Sequence, residues 1–412
     1  MAGSVSALPL DVRVVAYFDL PSTPVLTLND PVKGKLDDAT YVLAGDIATD
    51  ITSTVQAVSV SRGRSRLLDD IQVGSASVTV RNLDRAFDPL HSGTYSTNIV
   101  PAKRVTILLG GAAVFDGTVD DWDLSYSLDG DAVASMILSD PLATLGRAAF
   151  AGHTFSSELS GDRIEAALDR PEVDFPAGRR DIDDGLTTLA GGTVAEGDNV
   201  LDYLRTVART ELGRLFAARD GTITYRERLP PVQVGGLVTF ADDATGVPFS
   251  SIDVQIGSEL LYNRVAVTRV GGSTQIETDA DSIADYGTRT LELSDLLFDD
   301  DDDAALLAEY LAHTFGVPKV RVASVGLNMA RLDATQATQV ASLDIGDLVE
   351  VVFTPPGGGS AIDRYALVEG IDHSIGLDSH NVTFRLSSLD NAPFRLDCIV
   401  CGILDGEAVL AY

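Results

Sequence analysis

Gly74-Ser75-Ala76-Ser77-Val78-Thr79-Val80-Arg81-Asn82-Leu83-Asp84-Arg85-Ala86-Phe87-Asp88-Pro89 carries the pattern that decides how this chain folds. Ala76, Val78 and Val80 alternate with Ser75, Ser77 and Thr79, the two-residue period of a strand with one face buried. Asn82 to Pro89 is polar and ends in a proline, which a central strand rejects, so a loop is expected there. Upstream lies Ser59-Val60-Ser61-Arg62-Gly63-Arg64-Ser65-Arg66. Downstream, Ile99-Val100-Pro101-Ala102-Lys103-Arg104-Val105-Thr106-Ile107 restores the alternation. Gly110-Gly111 marks a tight hairpin, and Phe115-Asp116-Gly117-Thr118-Val119-Asp120-Asp121-Trp122 is the return strand. The whole stretch reads as a run of antiparallel strands.

The pattern extends both ways. Val12 to Asp19 is a strand with a mostly buried pattern, and Asp129-Gly130-Asp131 turns into Ala132 to Ser139. Residues 1–146 are therefore expected to form an amino-terminal β-barrel or sandwich domain. Helical periodicity then enters. Ile164, Ala167 and Leu168 share a helix face with Asp162 as a cap, and Pro171 stops the helix. A second helix starts near Asn199 and ends at Gly213, followed by a hairpin turning at Arg219-Asp220-Gly221. Residues 147–232 read as a small α/β module. Residues 233–390 read as a second β domain with one helix inserted near 304–315, and residues 391–412 as a carboxy-terminal β tail. The fold class is mainly β with α+β inserts: two β-barrel or sandwich domains plus small helix-containing modules. The two β regions hint at an internal duplication that no sequence identity proves.

Composition bounds the function. At 412 residues several domains are expected, and 45% hydrophobic content is ample for their cores. The net charge is −31 (30 basic, 61 acidic residues). That argues against nucleic-acid recognition, which needs a basic footprint, and against an anionic membrane surface. No signal peptide and no membrane span are expected, and synthesis in a cytoplasm is.

No catalytic constellation stands out. His91, His153, His313, His373 and His380 are isolated, although Asp372-His373 with His380 offers two metal ligands across a hairpin; exposed turn histidines are the alternative. Asp69-Asp70, Asp120-Asp121 and Asp183-Asp184 are carboxylate pairs of the kind a glycosidase places across a cleft, but an acidic chain holds many. Asp299 to Asp303 lacks the spacing of a calcium loop and suits the amino terminus of the following helix. Cys398 and Cys401 form one Cys-x-x-Cys; a zinc site needs four ligands, so a buried strand pair is expected. No catalytic residue, cofactor or metal is assigned. Arg62, Arg64 and Arg66, at alternating positions, are candidates for a subunit interface, or for pairing with the chain's own aspartates such as Asp69 and Asp70. Trp122, the only tryptophan, is expected to anchor the core.

The order of these motifs resembles a known family. Asn-Leu-Asp at 82–84, Phe-Asp-Pro at 87–89, a Tyr/Asn loop, Pro101-x-x-Arg104-Val105, and Phe115-x-Gly117-x-Val119-x-x-Trp122 are similar to the amino-terminal domain of siphophage minor tail proteins. Those in turn are similar to tail-tip baseplate hub proteins. The likeness continues more weakly through Leu261-Tyr262-Asn263-Arg264-Val265, Ile345-Gly346-Asp347-Leu348-Val349 and Val382-Thr383-Phe384-Arg385-Leu386-Ser387. It implies a structural protein of the virion tail tip that closes the tail tube and gates genome release during host entry. It further implies a homotrimer whose two barrel domains per chain imitate the sixfold tube. The implied partners are the distal tail or tail tube protein, the tape-measure protein, and other minor tail or receptor-binding proteins. Rival readings are a sixfold distal tail protein, a peripheral host-adsorption protein, a cell-wall hydrolase carried at the tip, and a carbohydrate-binding module.

Overall fold

The computed structural model describes residues 9–18, 31, 47–229 and 237–389. The expected tail at 391–412, with Cys398 and Cys401, lies outside the described residues. The first region contains β1 (Val12–Phe18), β2 (Ile47–Asp50), β3 (Val55–Gly63), β4 (Gln72–Arg81), β5 (Arg104–Leu109), β6 (Ala112–Tyr126) and β7 (Ala132–Ser139). The middle region holds α1 (Leu142–Arg147), β8 (Ala149–Phe155), β9 (Glu158–Leu159), α2 (Ser160–Leu168), β10 (Arg180–Ile182), β11 (Thr188–Leu189), β12 (Gly192–Asn199), α3 (Val200–Glu211), β13 (Arg214–Ala217) and β14 (Ile223–Arg226). The last region opens with β15 (Val238–Ala241), β16 (Ser251–Gln255), β17 (Arg264–Arg269), β18 (Gln275–Thr278), α4 (Ala280–Tyr286), β19 (Thr290–Leu296) and α5 (Asp301–Phe315). It closes with β20 (Arg321–Asn328), α6 (Ala334–Ser342), β21 (Leu348–Phe353), β22 (Ile362–Ile375) and β23 (His380–Ser388).

The expected hairpins are present. Gly110 and Gly111, both at positive φ, turn β5 into β6; Gly130 lies in the turn from β6 to β7; Gly357 to Gly359 lie between β21 and β22. The Asn82-to-Pro89 loop is built by its own polar side chains. Asn82 Oδ1 accepts the Phe87 amide at 2.9 Å, and Asp88 accepts the Leu90 amide at 2.8 Å and the Tyr126 hydroxyl at 2.6 Å. Tyr126 is thereby the main cause holding the Asp88 carboxyl down at about 2; burial opposes it, and the Leu90 amide and Arg85 assist.

Helix ends follow local chemistry, with two differences from expectation. Asp300 caps α5 by accepting the Asp303 amide at 3.0 Å, and Asn199 caps α3 by accepting the Asp202 amide at 3.1 Å. Asp162 caps nothing: α2 starts two residues earlier, at Ser160, which leaves Asp162 in the first turn. α3 ends on Leu212 in the left-handed conformation, not on Gly213. Two helices of the last region escape the sequence reading, α4 and α6; α6 has a capping box between Asp333 and Gln336.

Both β regions share one 13-stranded sheet and one hydrophobic core. They join where β3 pairs antiparallel with β22. Within this sheet the same six-strand arrangement occurs twice. In the first unit the spatial order is β3-β4-β7-β6-β5-β1; in the second it is β16-β20-β23-β22-β21-β15. Strands in corresponding places also come in the same order along the chain. The first strands differ in direction: β1 is antiparallel to β5, whereas β15 is parallel to β21. The insert from β17 to α5, with its own core around Leu307 and Leu311, falls between β16 and β20. The corresponding link in the first unit is only residues 64–71.

The two units match in backbone detail. β6 is bulged between Val119 and Asp121, and β22 between Val368 and Gly370. Before each bulge the same pair of hydrogen bonds locks the strand to the preceding turn. Ala102 N–H donates to the Val119 carbonyl at 2.7 Å, and Val119 N–H to Lys103 at 2.8 Å. Gly346 N–H donates to the Val368 carbonyl at 2.7 Å, and Val368 N–H to Asp347 at 2.9 Å. Ala102 and Gly346 both have positive φ, 66° and 90°.

Candidate functional site

Buried charged groups gather at the join between the two units, among them Arg62, Arg214 and Glu369. β3 ends at Gly63 (φ 96°), opposite Gly370. The bulged Glu369 is buried there; its carboxylate accepts from Arg64 Nε at 2.7 Å and Ser387 Oγ at 2.6 Å, and Arg214 lies 4.0 Å away. Burial opposes the charge on Glu369, but Arg64 and Arg214, with the hydrogen bonds from Arg64 and Ser387, hold its carboxyl below the usual carboxylate range. Arg214 is buried too, and desolvation lowers its affinity for its proton.

The three arginines singled out in the sequence do not share a strand face, because the strand stops at Gly63. Arg62 is buried, pairs with Asp344 at 2.8 Å and donates to the Ala217 carbonyl at 3.2 Å. Arg64 goes to Glu369. Arg66, half exposed, pairs with Glu259 at 2.8 Å. Each therefore pairs inside the chain, but with acidic side chains far away in sequence. Asp69 meets the trio through its backbone: its carbonyl accepts from Arg64 and its amide donates to the Arg66 carbonyl.

On the solvent side the sheet presents short polar side chains in rows that cross the join. One row, polar except for Ile137, runs Asp121, Ile137, Ser77, Ser59, Ser374, Asn381, Asn328. The next runs Ser75, Ser61, Asp372, Thr383, Gly326, Ser251, with Ser139 buried at its end. Ser61 donates to Asp372 at 2.6 Å, and Arg385 pairs with the same carboxylate at 3.2 Å. The alternate rows, such as Val119, Leu138, Ala76, Val60, His373, Val382 and Leu327, point into the core.

The other candidate groups are used structurally. His373 and His380 are not exposed in a turn; they are buried and meet across the hairpin, Nδ1 to Nε2, at 3.1 Å. Burial pushes His380 down to about 4; burial, His380 and Arg62 push His373 well below its ordinary value. Among the described residues no third metal-ligating side chain joins them. Each carboxylate pair has a member in an ion pair: Asp70 with Arg209, Asp120 with Arg147, Asp183 with Arg226. Sequence reasoning missed a buried cluster in which Ser160 donates to Glu211 and Tyr225 donates to Ser160 at 3.2 Å. Gly185 packs closely on it: a Cβ there would lie 1.9 Å from Ser160 Oγ. Trp122 packs against the core cluster, ring-stacked on Phe87 at 6.2 Å, and donates to the Val100 carbonyl at 3.2 Å.

This mainly β fold with helical inserts is similar to that of solved phage tail proteins. The 43 kDa tail protein of prophage MuSo2 from Shewanella oneidensis superposes with a TM-score of 0.57 at 14% identity, over 84% of this chain and 95% of that one. A tail protein from Neisseria meningitidis MC58 superposes with a TM-score of 0.58 at 11% identity, over 91% and 96%. A chain of the lidded Francisella PdpA-VgrG complex reaches 0.50 at 9% identity, over 95% of this chain but only 54% of its own length. No protein-family model matches the sequence, and no curated protein does. The family resemblance read from the sequence thus holds at the level of fold, and the mainly β architecture with helical inserts is present.

Proposed function

We propose that this chain is a structural minor tail protein: the hub that closes the tail tube at the tip of a non-contractile phage tail and gates genome release. The carrying observation is the doubled six-strand unit in one continuous sheet. A protein with two quasi-equivalent units can meet a sixfold tube as a homotrimer, because three chains of two units each present six. The Ser, Thr, Asn and Asp rows suit a channel wall. The side chains of these rows offer a polyanion no basic group to hold it, and the neighbouring Arg385 is paired with Asp372. The reading is non-enzymatic and places the chain in the virion tail tip. Its partners would be the distal tail or tube protein, the tape-measure protein and receptor-binding components. Arg66, with exposed guanidinium surface, is the member of the arginine trio positioned to touch a neighbour.

Cryo-electron microscopy of tail tips from the source particle tests this. Density for the chain in a threefold ring closing the tube is expected. A sixfold ring would make it a distal tail protein; peripheral density would make it an adsorption protein. Clearing of host peptidoglycan by the purified chain would overturn the non-enzymatic reading.

A further inference from the structure

We propose that the join between β3 and β22 is repeated between chains, with β16 of one copy pairing onto the second half of β6 of another. This deepens the hub reading and rests on it for the number of copies.

β22 is long and does two jobs on one edge: residues 362–367 pair with β21, and residues 370–375, beyond the bulge, pair with β3. β6 is built the same way. Residues 112–118 pair with β5, the bulge follows, and Asp121–Tyr126 continue, paired with β7 on one side. On the other side, where β22 receives β3, no strand pairs with this half of β6 among the described residues. The counterpart of β3 in the second unit is β16. It pairs with β20 on one side and, among the described residues, with no strand on the other. Among the described residues each chain therefore has one complete join and the two unmatched halves of another.

The register transfers by superposing one unit's ladders on the other's. Val58 lies opposite Ile375, and Ser59 opposite Ser374. The counterparts of Val58 and Ser59 are Ile252 and Asp253, because Val58 pairs with Val78 as Ile252 pairs with Val325. The counterparts of Ile375 and Ser374 are Tyr126 and Ser125, five and four residues beyond the first residue after each bulge. The new ladder thus sets Ile252 opposite Tyr126 and Asp253 opposite Ser125. The apolar pair Val58–Ile375 is thus matched by the apolar pair Ile252–Tyr126, and no two like charges stand directly opposite. Both edges carry exposed apolar surface: Tyr126 is 51% exposed, and Ile256, next after β16, is 69% exposed. Open edges with apolar side chains are strand-addition sites. The contact is heterologous, so it propagates from copy to copy until the rotation closes a ring.

The test uses the full chain with Cys398→Ser and Cys401→Ser, and adds Ser125→Cys and Asp253→Cys, both exposed positions. Neighbouring antiparallel strands bring paired Cβ atoms within disulfide reach. Mild oxidation is expected to give a covalent ladder ending at a closed species. An equimolar mixture of the two single variants should stop at a crosslinked dimer. Thermal melts that match the parent chain show that the variants fold. Oligomers, or incorporation into tail tips, without the crosslink would overturn this seam and leave the hub reading standing. Homodimers from either single variant, in place of the mixed dimer, would also overturn it. The crosslink in a chain that imaging places away from the tube axis would support the seam and remove the hub.

Discussion

Gly63 and Gly370 face each other across the ladder that joins the two units. A Cβ on Gly63 would lie 2.1 Å from the Glu369 carbonyl oxygen and 2.5 Å from Gly370 Cα. Both obstacles are backbone, so β3 and β22 would have to separate, and φ of 96° adds strain for any other residue. Gly63→Ala is expected to lose about 2 kcal/mol or more, read from the denaturant midpoint. Gly111→Ala is the control: its φ is 88°, but nothing lies within 4 Å of its Cβ position. Equal losses in the two variants would mean that the conformation, not the close approach, is what Gly63 supplies.

Glu369 gathers charge from three parts of the chain. Arg64 follows β3, Arg214 opens β13, and Ser387 lies on β23. Glu369→Gln leaves two guanidinium groups with little exposure beside a neutral side chain. Removing one partner of a buried ion pair costs about 3–5 kcal/mol, so a severe loss of stability is expected. The depressed carboxyl also sets a pH dependence. Its contribution is complete above the unfolded value of about 4.3 and is lost as pH falls through the lower folded value. Acid titration followed by circular dichroism should show this final loss below that pH; the variant should lack it.

The histidine pair works in a separate, higher window. Folded His380 and His373 both take up protons less readily than unfolded histidine, whose value is about 6.5. The unfolded chain therefore gains protons first, and stability falls as pH drops from about 6.5 towards the folded value of about 4 for His380. Replacing both, His373→Leu with His380→Leu, is expected to flatten the stability curve across that window. A slope unchanged from the parent chain would mean that the imidazoles are not buried as a neutral pair.

Asp116 ties the first unit to the middle region. It is buried on β6 and accepts from Arg104 at 2.9 Å, Thr106 at 2.6 Å and Arg179 at 2.7 Å. Arg179 in turn donates to the Gly221 carbonyl at 3.1 Å, in the β13–β14 turn. Asp116→Ala removes the one acceptor shared by all three and is expected to cost about 3 kcal/mol or more. Limited proteolysis should then cut first at the turn around Gly221. Cleavage spread over the chain as in the parent would argue that this junction has other supports.

The strands and hairpins were legible because a two-residue period and glycine pairs are local signals. So was the acidic cap of α5. The arginine partners were not legible: Asp344 and Glu369 lie some 300 residues from Arg62 and Arg64, and nothing in a local pattern names them. The duplication was a hint only, because what repeats is backbone. Ala102 answers to Gly346 and Trp122 to Ile371, different residues at the same turn or ladder position. α6 was missed because its burial rests on small residues, Ala337 and Ala341 beside Val340, which give a weak helical stripe.

The polar rows make a last prediction that concerns function rather than stability. Ser59, Ser77 and Ser374 stand in one row on both sides of the join, with their side chains on the solvent face. Surface changes of this kind cost within about 0.5 kcal/mol each, so Ser59→Lys, Ser77→Lys and Ser374→Lys together should leave the fold intact. If the face lines the tube, three lysines per chain place a cationic girdle in the path of a polyanion and hold it by phosphate pairing. Particles should assemble in normal number but release DNA on adsorption at least about tenfold more slowly, with the defect relieved by raised salt because the contacts are screened. The control is Thr278→Lys, Thr288→Lys and Thr290→Lys, exposed on the insert and equal in added charge. Equal slowing in both sets would assign the effect to overall charge, and normal release from the first set would take the polar face out of the channel.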